Sequence, residues 1–96
     1  MSEIQAKVLA LAESTNIAAV ADLQVALSNL LEAPDAAVVD VDCSAVRSID
    51  AAVLQCLLVN RRVAAAAGKQ LRIARPSDDF VRIAAYVGLV DALAAA

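Results

Sequence analysis

The sequence predicts a single α/β domain built around a mostly parallel sheet with crossover helices. Short strand-like segments alternate with amphipathic helical segments along the chain, in the order strand, helix, strand, helix, strand, helix. This alternation favours parallel strands that are joined by right-handed crossovers. Because 96 residues can bury one modest core but not two, residues 1–96 are assigned to one domain.

The first half of the chain predicts two strands and one helix. Residues 4–12 partly alternate, which predicts an edge strand, and a polar turn follows at 13–16. Apolar residues at helical spacing predict a helix over 17–32, which Pro34 ends. The nearly all-apolar, β-branched run 36–41 is typical of a central strand covered on both faces.

A long helix is predicted over 51–67, with Asp50 as its N-cap and Gly68 at its end. We expect the Asp50 carboxylate to accept N–H groups from Ala52 or Val53. The helix has two apolar stripes. One is predicted to face the sheet and contains Leu54, Leu57, Leu58 and Ala65; the other contains Ala52, Cys56, Val59 and Val63. The second stripe could pack on a neighbouring helix or form an exposed partner surface, and the pattern leaves both open.

The last third of the chain predicts one more strand and one more helix. The strand covers 70–74 and ends at Pro76. Ser77 is expected to cap the following helix, which Gly88 breaks. Leu89, Val90 and Leu93 are predicted to form a short terminal turn.

Composition excludes several classes of function. With net charge −3, scattered basic residues, one Phe, one Tyr and no Trp, the chain lacks the basic patch and the stacking platform of a nucleic-acid-binding protein. Its longest uncharged runs, about ten residues, are too short to span a bilayer, and no signal peptide is visible. We therefore expect a cytoplasmic protein without direct membrane insertion.

The absence of histidine removes further possibilities. A Cys/His zinc site and a His-based catalytic triad both need that residue. Cys43 and Cys56 are the two cysteines, and they lack CxxC spacing. No metal and no cofactor is expected.

Two aspartates, Asp42 and Asp50, bracket the loop between the strand at 36–41 and the helix at 51–67. With Asp50-Ala51-Ala52-Val53-Leu54, this arrangement resembles the signature of the STAS family, whose founding members are bacterial anti-sigma-factor antagonists. The family pattern ends a strand with Asp and opens the next helix with Asp-Ser-Ser-Gly-Leu. The resemblance extends to Tyr86-Val87-Gly88-Leu89. Family members usually begin with two strands, so one of them is expected to be missing or reduced here.

The position that matches the family's phosphate acceptor is Ala51. Alanine has no oxygen, so a phosphoswitch cannot operate there, although a helix N-terminus favours a phosphate. Val53 stands where the family has glycine, which questions close approach of a partner's backbone. Ser44 and Ser48 lie in the same loop but do not match the acceptor position.

The resemblance implies a non-catalytic bacterial signalling adaptor. Its partner would be a regulatory protein kinase, an anti-sigma factor, or a chemotaxis or phosphorelay protein, since Asp50 to Gln55 looks like STAS proteins of those systems. A homodimer is also possible. Two alternatives remain: a STAS subunit that binds the ATPase of a lipid-transport ABC system, and a minimal enzyme using Asp42 and Asp50 as paired carboxylates. The expected partner interface contains Ser48, Asp50, Ala51, Ala52, Gln55 and Val59.

Overall fold

The computed structural model describes residues 6–88. Five strands and three helices follow one another along this part of the chain, and a 3₁₀ turn at Ile17–Ala19 leads into the first helix. In chain order the elements are β1 (Ala6–Ala10), β2 (Ser14–Thr15), α1 (Val20–Glu32), β3 (Val38–Asp42), β4 (Ser48–Ile49), α2 (Ala51–Ala66), β5 (Gln70–Ala74) and α3 (Asp78–Tyr86).

Among the described residues, the main sheet has three parallel strands in the order β1-β3-β5. Its register places Val8 beside Asp40, and Asp40 beside Arg72. The α/β class, the edge position of the first strand and the central position of β3 are all confirmed. Parallel neighbours require a crossover connection, and α1 and α2 lie in the two connections.

The two faces of the main sheet differ in polarity. Val39 and Val41 of β3 are fully buried on the inner face. The alternate residues Asp40 and Asp42 lie on the outer face because successive strand residues point to opposite sides. Arg72 reaches Asp40 with two hydrogen bonds, Nε to Oδ1 at 2.6 Å and Nη2 to Oδ2 at 2.8 Å. The expectation that β3 is covered on both faces by apolar packing is therefore wrong for its outer face.

A second, very small sheet was not predicted. β2 and β4 pair in parallel, with Ser14 beside Ser48 and Thr15 beside Ile49. The sequence predicts only a polar turn over 13–16, since two-residue strands carry no detectable alternation. This sheet forms because chain segments more than thirty residues apart are brought together by the larger fold.

The core lies between the inner face of the main sheet and the helices. Leu27, Leu54 and Leu57 are fully buried there. The predicted sheet-facing stripe of α2 is therefore confirmed at Leu54 and Leu57, Leu58 is half-buried against the core, and Ala65 is exposed. Truncating a buried leucine of this kind to alanine costs about 2–5 kcal/mol. The buried apolar residues of the helices are Leu23, Leu27, Leu31, Val53, Leu54, Cys56, Leu57, Ala64, Phe80 and Ala84.

The C-terminal ends of α2 and α3 and the start of α3 follow their predicted signals. Ser77 caps α3 through its hydroxyl, which accepts from Phe80 N at 3.0 Å. Gly68 follows α2 at φ +72° and Gly88 follows α3 at φ +77°, a conformation that favours glycine. The predicted turn at Leu89, Val90 and Leu93 lies outside the described residues.

Within residues 6–88, each helix falls short of the length and hydrophobicity that crossing a membrane requires.

Candidate functional site: the start of α2 and its groove with α1

Two side chains of the loop between β3 and β4, Cys43 and Val46, are buried in the core and hold the loop in place. The Cys43 backbone also joins β5 and α3, donating to Ala74 O at 2.9 Å and accepting from Ser77 N at 3.2 Å. Burial, and then the charge of Asp42, raises the pKa of the Cys43 thiol to about 12. Cys43 is therefore a protonated packing residue near neutral pH.

Asp42 holds the first turn of the loop. Its Oδ1 accepts from Ser44 N at 3.0 Å, and its Oδ2 pairs with Arg75. Hydrogen bonds from Ser44, followed by the Arg75 contact, keep the pKa of Asp42 below its usual range. The carboxylate is thus ionised and already engaged by its own chain.

Asp50 occupies the N-cap position of α2, but its carboxylate does not cap that helix. Instead, Oδ2 accepts from Ile17 N at 2.8 Å, at the start of the 3₁₀ turn that precedes α1. The expected bonds to Ala52 or Val53 N–H are therefore wrong. The first turn of α2 is closed by the backbone, with Val53 N donating to Asp50 O at 3.0 Å. Asp50 acts as a tether between the two helix starts.

The backbone of the mini-sheet holds the loop next to this tether. Glu13 O accepts from both Arg47 N and Ser48 N, at 2.8 and 3.0 Å, and Asp50 N donates to Thr15 O at 3.1 Å. Backbone hydrogen bonds therefore fix Asp50 and the residues just before it against the segment that precedes α1. The site is preformed because the neighbouring backbone groups are already satisfied.

The first turn of α2 separates buried from exposed positions. Val53 is fully buried, so its side chain enters the core and does not obstruct a partner, which corrects the concern raised by the missing family glycine. Ala51, at the phosphate-acceptor position, is exposed, as are Ser48 and Asp50. Asp50 and Ala51 are adjacent and accessible, and Ser48 is separated from them by the buried Ile49.

The second apolar stripe of α2 divides along its length. Cys56 is buried, whereas Val59 and Val63 are 50% and 54% exposed. The stripe therefore packs on a neighbouring helix in its first part, near α1, and is exposed to solvent in its later turns. An exposed pair of valines on one helix face is typical of an interaction surface.

Ala52, Gln55 and Val59 line a groove of about 640 Å³ between α1 and α2. Half of the expected interface is thereby brought into one concave surface, next to the exposed residues Ser48, Asp50 and Ala51. We call the concave surface the α1–α2 groove, and the exposed residues beside it the exposed start of α2. The remaining lining residues of the groove are Ile17, Val20, Ala21, Gln24 and Cys56.

The contribution of α1 to the groove was missed by sequence analysis. Ile17 is 68% exposed despite its size, and only its place at the tethered start of α1 aligns it with α2. Asp50 was singled out from the sequence, and it was the one residue that could have led to Ile17, because its carboxylate accepts a hydrogen bond from Ile17 N. Sequence pattern alone could not indicate that partner.

An amide pair joins α1 to α2 beside the groove: Gln24 is exposed and lines the groove, whereas Asn60 is buried behind it. Asn60 is 2% exposed and donates to Gln24 Oε1 at 2.7 Å and to Cys56 O at 2.8 Å. Gln24 returns a bond to Asn60 Oδ1 at 3.2 Å. Since buried polar groups are costly unless paired, this exchange fixes α1 and α2 in one alignment.

The family model for "Mlab, STAS domain" matches residues 2–94 of the chain. The chain belongs to the STAS family. A solved structure described as a sulfate transporter family protein from Wolinella succinogenes has the same fold, with a TM-score of 0.75 and 17% sequence identity over 92% of this chain and 70% of that one. A comparison with curated proteins finds no match.

Membership of the STAS family bears on the two loop aspartates. STAS domains are generally non-catalytic. In this chain, the Asp42 carboxylate already accepts hydrogen bonds from Ser44 N and Arg75, and the Asp50 carboxylate accepts one from Ile17 N. Within residues 6–88, acidic and cysteine side chains form no cluster that could hold a metal ion. The local geometry gives both carboxylates a structural task.

Proposed function

We propose that this STAS domain is a non-catalytic adaptor that binds a regulatory partner protein through the α1–α2 groove and the exposed start of α2. The favoured partner is a protein kinase, an anti-sigma factor, or a chemotaxis or phosphorelay protein of the bacterial cytoplasm. The observation that carries the proposal is the coincidence of Ala52, Gln55 and Val59 in one apolar groove.

The surface has the physical character of a binding site. Its large aliphatic side chains, Ile17 and Val59, are exposed beside the Gln55 amide, which can orient a partner by hydrogen bonding. Interfaces of this kind have an apolar centre and a polar rim. The preformed backbone around Asp50 reduces the ordering cost of association.

Binding here would not be switched by phosphate at the family position. Ala51 is exposed but carries no hydroxyl, so the adaptor is constitutive with respect to that residue. Ser44 and Ser48 are exposed nearby. We expect neither to replace the missing acceptor, because neither occupies the first turn of α2.

Paired variants test the groove against a matched control. Gln55→Ala combined with Val59→Asp should abolish capture of the partner from native extract, since a charge would enter the apolar centre. Val81→Asp on α3 is the control, because Val81 is also exposed, at 42%. Thermal midpoints of all three proteins should stay close, since exposed substitutions typically change stability by less than about 0.5 kcal/mol. Equal capture by both variants would reject the groove.

A second candidate partner is the ATPase of a lipid-transport ABC system. We keep it as the alternative because a structural neighbour, described as a sulfate transporter family protein, has this fold in a transporter family. The same capture experiment separates the two candidates, since the co-purifying protein is either a signalling component or an ATPase. Both partners would use the same groove.

A further inference from the structure

The outer edge of β1 is open within the described part of the chain. β1 pairs with β3 on one side, and no described strand lies on its other side. Leu11 N donates to Asp42 O at 3.0 Å, which shows that this residue points its backbone toward β3. Successive residues of a strand alternate, so Ala6, Val8 and Ala10 point their N–H and C=O groups to the open edge. Such a row of donors and acceptors is a template for another strand.

As far as residues 6–88 show, this edge lacks the usual protection against pairing. Natural edge strands are shielded by proline, bulges or free charges, and Ala6–Ala10 contains neither proline nor glycine. Its one charged residue is Lys7, whose Nζ lies 3.1 Å from the Asp35 carboxylate and is thereby partly neutralised. Val8, at the centre, is 62% exposed.

We propose that β1 pairs antiparallel with β1 of a second copy, about a twofold axis at Val8. In this register Val8 faces Val8 of the second copy, and Ala6 faces Ala10. Each of these pairs exchanges two backbone hydrogen bonds, as the outward-pointing residues of an antiparallel ladder do. All three outward donors of each strand are then satisfied, and the two main sheets become one continuous sheet.

Charge and shape favour a second copy as the occupant. With the axis at Val8, Lys7 lies opposite Leu9 of the second copy, so the two lysines do not face each other. An axis at Lys7 would oppose the two ammonium groups, and like charges directly opposite destabilise a strand pair. The small side chains of Ala6 and Ala10 present no obstacle to close approach, and a twofold contact closes without forming a fibre.

The test is the mass of the full chain in solution. A strand-edge contact is smaller than a standard interface, so we expect a dissociation constant of roughly 10⁻⁴ M. Sedimentation velocity over a dilution series should show a monomer that becomes a dimer as concentration rises. Hydrogen exchange at the Val8 amide should slow in parallel, because that N–H enters the ladder.

Charge variants locate the axis. Val8→Lys should weaken dimerisation at least about tenfold, because two ammonium groups would then face each other. Val8→Asp should do the same, and an equimolar mixture of the two variants should restore the dimer. Val25→Lys is the control, since Val25 is 59% exposed on α1, and it should dimerise like the original chain.

Two results would overturn the proposal. One is a monomer throughout the dilution series. The other is a dimer that Val8→Lys leaves intact, which would locate the contact elsewhere. Loss of partner capture by the groove variants would not affect either readout, because β1 does not line the groove.

Discussion

The bond between Asp50 and Ile17 can be tested against simple helix capping. In the structure, Oδ2 of Asp50 accepts from Ile17 N at 2.8 Å across 33 residues of sequence, and it makes no capping bond to α2. Asp50→Ala removes this charged acceptor. Hydrogen bonds to charged groups contribute about 1.5–3 kcal/mol, and because Asp50 is exposed we expect a loss below that range, about 1 kcal/mol.

The order of three substitutions separates the two roles. A capping residue is replaced well by either asparagine or serine. The tether requires an acceptor that reaches Ile17, so Asp50→Asn should recover most of the stability and Asp50→Ser, with its shorter side chain, should not. For a domain of this size, 1 kcal/mol corresponds to a midpoint shift of roughly 4–8 °C, which thermal melts of four proteins resolve.

Amide exchange gives a second readout of the tether. Asp50→Ala should accelerate hydrogen exchange at Ile17, because its N–H loses its partner, while exchange in the middle of α2 should change only with global stability. Equal recovery by asparagine and serine, together with unchanged exchange at Ile17, would refute the tether and restore the capping account.

Three further predictions follow from the site and the outer sheet face. Incubation with a STAS-directed serine kinase and ATP should add no phosphate by intact mass, because Ala51 lacks the acceptor oxygen; stoichiometric modification would contradict this. Asn60→Ala should lower the free energy of unfolding in urea by about 1–3 kcal/mol, since it removes the buried Asn60 amide and its bond to Gln24. Asn29→Ala is the control: Asn29 is exposed, so the change should be less than about 0.5 kcal/mol, and equal losses for the two variants would contradict a stabilising role for Asn60. Arg72 lowers the pKa of Asp40, so that pair stabilises the fold above the ordinary carboxyl pKa of about 3.9. Its contribution should disappear as pH falls through the lowered folded pKa, and Asp40→Asn should flatten this acid dependence; an unchanged pH profile would contradict it.

Much of the fold could be predicted from local pattern. Helical periodicity located α1 and α2, and the apolar run before Asp42 located the central strand. Gly68 and Ser77 marked helix ends because their effect depends only on the backbone next to them. The residues around Asp42 and Asp50 also indicated the STAS family, which the family model shows over residues 2–94.

The candidate site was predictable only on its α2 side. Ala52, Gln55 and Val59 could be chosen from helical spacing, but Ile17 and Val20 complete the groove from a helix about thirty residues earlier. Nothing in the spacing of α1 indicates which of its faces meets α2. The amide pair has the same origin, since Gln24 and Asn60 are distant in sequence.

The sequence by itself determined the order of elements, the parallel class of the sheet, the helix ends and the absence of an acceptor oxygen at Ala51. These properties depend on residue identity and on neighbours within one or two turns. Tertiary structure decided the pairing of β2 with β4, the pairing of Asp40 with Arg72 on the outer sheet face, and the hydrogen bond of Asp50 to Ile17 in place of a capping bond to α2. Each of those is a contact between distant segments, and its free energy exists only after packing of the core has brought the segments together.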